Sequence, residues 1–274
     1  MIILILVIVN VIFSYKGFIS EGFLERYEFE VDRILINRDF KRIITSGFLH
    51  VSWMHLAFNM FSLYAFSGIL SGYLGGLQFL LIYFASLIGG NLLSLLVHKN
   101  HGDYSSVGAS GAVCGVIFAS IALFPDFSIS LFGILSLPSW LYGIAYVLFA
   151  LYAIKSRKDN IGHEAHLGGA LIGMAFALIL EPTAFAQNYI TILLIAVPTI
   201  AFIYLIITRP GFLLVDNYFF NTHRKFTLDN TYNIHKIRKQ EEVDKILEKI
   251  TRNGLGSLSR KEKKILEVYS KGNN

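Results

Sequence analysis

The chain has 274 residues, of which 54% are hydrophobic and only 16% are charged, and its mean hydropathy is +0.55. Because soluble domains carry about 25% charged residues, this composition excludes an ordinary soluble protein and predicts a polytopic membrane protein. The net charge of +5 comes from the tail, which from Arg209 onward holds 14 Lys and Arg against 8 Asp and Glu. It therefore does not indicate a nucleic-acid-binding protein. The single cysteine, Cys114, excludes an intrachain disulfide framework.

Seven apolar stretches reach or approach the roughly 17–25 residues that a membrane-spanning helix needs. The predicted spans cover residues 1–14, 51–70, 77–97 and 110–124, a fifth stretch that ends near residue 154, and then 165–180 and 189–207. The first stretch has no basic region before it and no small-residue cleavage site, which favours a span over a removable signal peptide. Residues 15–45 mix charged and aromatic side chains and predict an amphipathic connection with short helices in the membrane interface.

Residues 211–274 are soluble in character. Apolar residues at helical spacing predict one helix over 243–250, which Asn253-Gly254 ends. The run Ser-Arg-Lys-Glu at 259–262 predicts a capping box at the start of a second helix that carries Ile265, Leu266 and Tyr269. The sequence therefore predicts an all-α polytopic membrane protein with three parts: a six-span core over 1–182, an additional transmembrane helix over 183–210, and a basic soluble tail with a helix pair over 211–274.

Polar side chains cluster at the starts of spans two, four and six. Because the chain crosses back and forth, these three spans begin at the same membrane surface. The residues concerned therefore fall at a similar depth on one side, and they are His50, His55, Asn59, Ser110 and His166. Ionisable groups at membrane depth are expensive and are usually functional.

Ser110 and His166 are the candidate nucleophile and base. A serine hydroxyl becomes a good nucleophile when a base takes its proton, and histidine is the usual base. Each residue also has a structural interpretation: Ser110 as a helix N-cap, and His166 as a buried histidine bonded to a neighbouring span. Their common depth favours a catalytic pair.

Small residues surround both candidates. Gly108 and Gly111 flank Ser110, so that backbone can approach closely and the Ser110 amide can point into a cavity. The pairs Gly111/Gly115 and Gly169/Gly173 are small-xxx-small patterns, which let membrane helices pack closely. We therefore expect span four to pack on span six and to bring the Ser110 hydroxyl within reach of the His166 ring.

His55 and Asn59 are four residues apart and share one face of span two. With the Ser110 amide, their hydrogen-bond donors could hold a developing oxyanion. Interhelical hydrogen bonding is the structural alternative for both side chains. His50 lies off that face and is expected to be a structural partner or an interfacial group.

A metal site is the main chemical alternative. The histidines that could be considered as zinc ligands are His50, His55, His163 and His166. No HExxH motif is present and no spacing fits a known ligand pair well, so we predict no metal. His163, like His98 and His101, is expected to lie in a loop.

Three runs together resemble the motifs of the rhomboid family of intramembrane serine proteases. The runs are HVSWMHLAFN at 50–59, similar to HxxxxHxxxN, GASG at 108–111, similar to GxSG, and AHLGGALIG at 165–173, similar to AHxxGxxxG. They occur in the family's order on spans two, four and six, and the resemblance covers residues 1–182. Lys41-Arg42 also resembles the family's Trp-Arg signature, with Lys in place of Trp.

The resemblance implies a six-helix rhomboid core that needs no cofactor. It implies a Ser110–His166 dyad that forms an acyl-enzyme, with the oxyanion held by His55, Asn59 and the Ser110 amide. The substrates would be transmembrane helices of single-span membrane proteins, cut near their outer end. Family members often place an aromatic residue four positions after the nucleophile to stack on the histidine, and here that residue is Cys114.

The resemblance predicts a multi-pass protein of a bacterial cytoplasmic membrane whose active site opens on the extracytoplasmic side. Charge counting favours the opposite orientation, because all 24 Lys and Arg fall on the side of the active-site mouth if all seven spans cross. The side of the tail is therefore left open, and the tail is expected to meet a partner of unknown identity.

Two other function classes compete with the protease. A rhomboid-like pseudoprotease would bind membrane proteins without cutting them, but such proteins usually lose the nucleophile or the base, and this chain keeps both. A transporter or channel is disfavoured, because the sequence shows no inverted repeat and its polar residues cluster near one surface instead of the midplane.

Overall fold

A computed structural model describes residues 2–131, 135–156 and 161–208, and in the tail residues 243, 246–247, 249–250, 257–259, 262–263 and 265–266. Up to residue 208 the described residues are mainly helical. The α-helices are α1 (Ile2–Ile19), α2 (Phe23–Tyr27), α3 (Val31–Leu35), α4 (Arg42–Thr45), α5 (Trp53–Leu74), α6 (Gly76–His98), α7 (Ser110–Leu123), α8 (Ser139–Ser156), α9 (His163–Leu180) and α10 (Thr183–Thr208). A 3-10 turn covers Ser46–Phe48, and the short strands are β1 (Phe29–Glu30), β2 (Ser105–Ser106), β3 (Ser128–Leu131) and β4 (Leu135–Pro138). The predicted all-α polytopic class is confirmed.

Within the described residues, four helices are long and apolar enough to cross a membrane, namely α1, α6, α9 and α10. Helix α5 has 22 residues and α8 has 18, whereas α7 has only 14. At 1.5 Å per residue α7 is roughly 21 Å long, which is shorter than the roughly 30 Å of a bilayer's hydrocarbon core. At least one end of α7 therefore lies at hydrocarbon depth.

The predicted ends of the first and last spans differ from the structure. Helix α1 continues to Ile19, past the expected end at residue 14. Helix α10 begins at Thr183, before the expected start at 189, and its backbone leaves helical geometry at Asn188. The Asn188 side chain donates hydrogen bonds to the carbonyl oxygens of Ala122 and Leu123 at 2.9 and 3.2 Å. The Asn188 side chain thus satisfies carbonyl groups at the C-terminal end of α7.

Helix α7 is the central helix of the bundle. Every residue from Gly111 to Leu123 is buried, and the helix packs against α5, α6, α8, α9 and α10. A helix that is apolar on every side is expected to be enclosed by others. The helix that begins at Ser110 is therefore fixed in place by five neighbouring helices.

Glycines allow α7 and α9 to pack at backbone distance. A Cβ atom on Gly169 would collide with the carbonyl oxygen of Gly111, and one on Gly173 would collide with that of Gly115. Helix α6 approaches α9 in the same way, since a Cβ on Gly90 would lie 2.5 Å from the carbonyl oxygen of Ala165. The predicted close packing of the fourth span on the sixth is what the structure shows.

The connection between α1 and α5 contains the short helices α2, α3 and α4, as predicted. Arg42 anchors it: its side chain is only 4% exposed and donates to the carbonyl oxygens of Glu25 and Glu28 and to the Asp39 carboxylate, at 2.9, 2.8 and 3.1 Å. Strand β1 pairs antiparallel with β2, just before α7. The connection is thereby tied to the segment that leads into Ser110.

The described tail residues include the predicted capping box. The Ser259 amide donates to the Glu262 carboxylate at 2.6 Å, and the Glu262 amide donates to Ser259 Oγ at 3.2 Å. The ammonium of Lys249 lies 2.8 Å from the same carboxylate, and these hydrogen bonds lower the pKa of Glu262 to about 2. Residues 253, 254 and 269, which also entered the tail prediction, lie outside the described residues.

Candidate active site

The hydroxyl of Ser110 and the ring of His166 form a direct hydrogen bond. Ser110 Oγ lies 2.6 Å from His166 Nε2. Ser110 is the first residue of α7, and His166 lies in the first turn of α9. The close packing of these two helices brings together side chains that are 56 residues apart in the sequence.

The N-cap interpretation of Ser110 does not match the structure. Ala109 occupies the N-cap position of α7, and Ser110 is the first residue within the helix. Gly108 precedes it with a φ of +135°, a conformation that favours glycine. A Cβ at this position would lie 2.9 Å from His55 Nε2, so only glycine leaves room for that ring beside Ser110.

His55 and Asn59 lie on α5 and line the same cavity as the candidate pair. Ser52 caps α5 by accepting a hydrogen bond from the His55 amide at 3.1 Å. The Asn59 side chain donates to the His55 carbonyl oxygen at 3.1 Å. The cavity has a volume of about 310 Å³, and its lining includes His55, Asn59, Ser110, Tyr146 and His166.

His50 packs against the His55 ring and contacts α1. Its ring meets that of His55 edge-on, with 4.9 Å between the centroids, and its Nδ1 lies 2.8 Å from Ser14 Oγ on α1. Burial, together with His55, lowers the pKa of His50 to about 3. The imidazole is therefore neutral at physiological pH and adds no charge beside the cavity.

The histidines considered as metal ligands have other neighbours. In the described part of the chain, no group of three or more His, Cys, Asp or Glu side chains is placed to hold a metal ion. His163 was expected in a loop, and this is wrong: it begins α9, is only 3% exposed, and packs edge-on against Phe149 and His166. His98 likewise ends α6 instead of lying in a loop.

Glu164 forms a buried polar cluster that the sequence did not suggest. Its Oε1 accepts hydrogen bonds from Ser94 and Tyr104 at 3.0 and 2.7 Å, and it lies 3.2 Å from His98 Nε2. The rings of His98 and Tyr104 stack with 3.6 Å between centroids. The cluster joins α6, α9 and the segment before β2, and so fixes the chain that leads to Ser110.

Tyr146 is the other residue that the sequence reasoning missed. Its hydroxyl oxygen lies 3.0 Å from His166 Nδ1 and 3.1 Å from Cys114 Sγ. The position four residues after Ser110, where the resemblance predicts an aromatic residue that stacks on His166, holds Cys114. The structure instead brings a tyrosine hydroxyl to His166 from α8, at a position that no motif marks.

Comparison with known proteins identifies the group to which this geometry belongs. A family model described as the Rhomboid domain matches residues 37–183, which is more than half of the chain. The chain belongs to the rhomboid family. A second model, a family of unknown function (DUF6576), matches residues 226–272, where the helix pair was predicted.

Several curated rhomboid proteins are similar to this chain. Rhomboid protein 1, mitochondrial, of Saccharomyces cerevisiae is 32% identical over 56% of this chain and 45% of its own length. Presenilin-associated rhomboid-like protein, mitochondrial, of Mus musculus is 33% identical over 48% of this chain and 36% of its own. RHOMBOID-like protein 12, mitochondrial, of Arabidopsis thaliana is 28% identical over 61% of this chain and 54% of its own. The matches thus span about a third to a half of each relative.

These relatives correct the predicted location. A multi-pass membrane protein is supported, but the expected bacterial cytoplasmic membrane is wrong. The finding that overturns it is that the relatives are named as mitochondrial proteins.

Proposed function

We propose that this rhomboid is an intramembrane serine endopeptidase that cleaves transmembrane segments of other membrane proteins. The observation that carries the proposal is the 2.6 Å hydrogen bond between Ser110 Oγ and His166 Nε2 inside a cavity of the helix bundle. A serine within hydrogen-bond reach of a histidine base is the arrangement that nucleophilic acyl transfer requires.

In the first half of the reaction, Ser110 Oγ attacks the carbonyl carbon of the scissile peptide bond while His166 Nε2 takes the hydroxyl proton. The tetrahedral intermediate collapses when His166 gives this proton to the leaving amine, which leaves an acyl-enzyme on Ser110. In the second half, water attacks the ester, and His166 again acts first as base and then as acid. The Ser110 proton leaves with the amine and a proton from water replaces it, so the dyad is restored at the end of the cycle.

The developing oxyanion is assigned to His55, Asn59 and the Ser110 amide. The two side chains come from α5 and line the cavity with Ser110. The Asn59 amide donates to the His55 carbonyl in the resting state and would have to turn toward the oxyanion during reaction. Such donors act because they stabilise charge that exists only in the transition state.

The proposed substrates are single-span membrane proteins that enter from the lipid bilayer. In a transmembrane helix, each backbone carbonyl is occupied by an intrahelical hydrogen bond. A segment with helix-weakening residues exposes its peptide bonds more readily, so we expect cleavage to favour such segments. The tail is proposed to bind a partner of its own.

The first test is labelling of the purified, detergent-solubilised protein with a fluorophosphonate probe, which reacts with activated serines. Wild type is expected to be labelled, whereas Ser110→Ala and His166→Ala should abolish labelling with the melting temperature preserved. The matched control is Ser120→Ala on the same helix, whose hydroxyl donates to the Val116 carbonyl, and it should be labelled like wild type.

A rhomboid-like pseudoprotease is the alternative outcome. If folded wild type resists the probe, or if Ser110→Ala is labelled as well as wild type, the proposed mechanism is wrong. Incubation with a single-span reporter then completes the test, because a binding-only protein would retain the reporter and leave it intact.

A further inference from the structure

His166 has two ring nitrogens, and the proposed reaction employs only one of them. To act as a base, Nε2 must present a lone pair to Ser110, so in the neutral ring the proton must be on Nδ1. A group that accepts a hydrogen bond from Nδ1 selects this tautomer and orients the ring. The question is which group of this chain does so.

The group at Nδ1 is the hydroxyl of Tyr146, at 3.0 Å. It reaches the dyad from α8, a helix that supplies neither dyad member. The neighbouring rings define the position of the phenol: Phe118 meets it edge-on at 5.7 Å, and Tyr142 stacks on it at 6.2 Å between centroids. Tyr146 thus has a fixed place and a polar atom directed at His166.

The hydroxyl has a second neighbour in Cys114 Sγ, at 3.1 Å. A hydroxyl offers one proton and accepts at its oxygen, and a thiol can accept weakly at sulfur. If the Tyr146 hydroxyl donates its hydrogen bond to the sulfur, its oxygen can accept a hydrogen bond from His166 Nδ1–H. The hydrogen bonds are then all donated in one direction: Ser110 donates to His166, His166 donates to Tyr146, and Tyr146 donates to Cys114.

We propose that Tyr146 is the positioning residue of the dyad, with Cys114 as the acceptor that orients its hydroxyl. Tyr146 holds His166 in the tautomer whose Nε2 faces Ser110. This inference rests on the proposed function. It assigns a role to the cysteine that stands where an aromatic residue was expected.

The contact should matter more in the transition state than in the resting enzyme. When His166 takes the serine proton the ring becomes cationic, and the hydrogen bond from Nδ1 becomes charge-assisted and stronger. An interaction that becomes stronger in the transition state raises the rate of the chemical step and leaves the affinity for substrate unchanged. Loss of the Tyr146 hydroxyl should therefore lower the maximal labelling rate and leave the half-saturating probe concentration unchanged.

The decisive variant is Tyr146→Phe, which removes one oxygen and keeps the ring packing. Its maximal rate of fluorophosphonate labelling is expected to fall on the order of ten-fold. The matched control is Tyr204→Phe on α10, whose side chain is 65% exposed and outside the cavity, and it should label like wild type. Cys114→Ser keeps an acceptor and should label nearly normally, whereas Cys114→Ala should show an intermediate loss.

The protonation state of the two His166 ring nitrogens distinguishes a positioning role of Tyr146 from a merely structural one. With histidine labelled by ¹⁵N, and with His166→Ala to assign the signal, wild type should show His166 Nε2 as an unprotonated nitrogen. In Tyr146→Phe the two nitrogens should shift toward values of mixed tautomers. Equal labelling rates and equal spectra in Tyr146→Phe and wild type would overturn the inference and leave the proposed function standing. Absence of Ser110-dependent labelling in wild type would instead remove the proposed function, and this inference with it.

Discussion

Each ring nitrogen of His166 contacts a neutral hydroxyl, that of Ser110 at Nε2 and that of Tyr146 at Nδ1. Tyr146 and Cys114 carry no charge in their protonated forms, and the nearby buried carboxylate, Glu164, accepts hydrogen bonds from Ser94 and Tyr104. An ionised side chain in an apolar surrounding is costly unless it is paired and hydrogen-bonded. A phenol that accepts a hydrogen bond from His166 Nδ1 can orient the ring without this cost, which suits a site at membrane depth.

Asn59 provides a test of the oxyanion site at the scale of one side chain. Asn59→Ala is expected to lower the turnover of a single-span reporter by about 10²-fold with little change in KM, because the lost donor acts mainly in the transition state. Asn59→Asp should be as slow, since it keeps the shape and removes the donor. The control is Ser67→Ala on the same helix, whose hydroxyl donates to the Tyr64 carbonyl. A raised KM with unchanged turnover would show that Asn59 binds substrate instead.

At the scale of helices, the dyad depends on how closely α7 and α9 pack. Gly169→Ala is expected to destabilise the protein by about 1–3 kcal/mol, because its Cβ would meet the backbone of Gly111 and cannot be accommodated by a rotamer change. Fluorophosphonate labelling should fall as well, since Ser110 and His166 would move apart.

The matched control is Gly68→Ala on α5, where an added Cβ has no neighbouring atom within 4 Å. It should leave labelling unchanged, with thermal stability equal or slightly higher. If Gly169→Ala had the same melting temperature and labelling rate as Gly68→Ala, the close packing of α7 and α9 would not determine the position of the dyad.

The packing of these helices could be predicted, whereas the surroundings of the dyad could not. Glycines at four-residue spacing have a direct meaning for helix contact, so Gly111 and Gly169 could be assigned to one interface. Tyr146 is one of 14 tyrosines in the chain, and its sequence position contains nothing that relates it to His166. The same holds for Glu164, whose partners Ser94 and Tyr104 become neighbours only through the tertiary fold.

For the molecule as a whole, the all-α polytopic fold class followed from hydropathy, but the compartment of the membrane did not. A hydrocarbon core of about 30 Å sets a similar span length in membranes of different compartments. The length of an apolar stretch therefore cannot distinguish a bacterial membrane from a mitochondrial one. The names of the relatives correct the predicted compartment. Helix α7, with 14 residues, is too short to meet the length criterion, although every residue from Gly111 to Leu123 is buried.

The tail and the rhomboid core are expected to be separable in function. The residues assigned to the site fall within 37–183, whereas the capping box of Ser259 and Glu262 lies in the region matched by the second family model. Ser259→Ala removes one hydrogen bond of the box and should destabilise the tail helix by about 1 kcal/mol. Hydrogen exchange should then rise in tail peptides, while the rate of fluorophosphonate labelling at Ser110 stays at the wild-type value. Altered labelling in Ser259→Ala, with unchanged exchange in core peptides, would instead show that the tail acts on the active site.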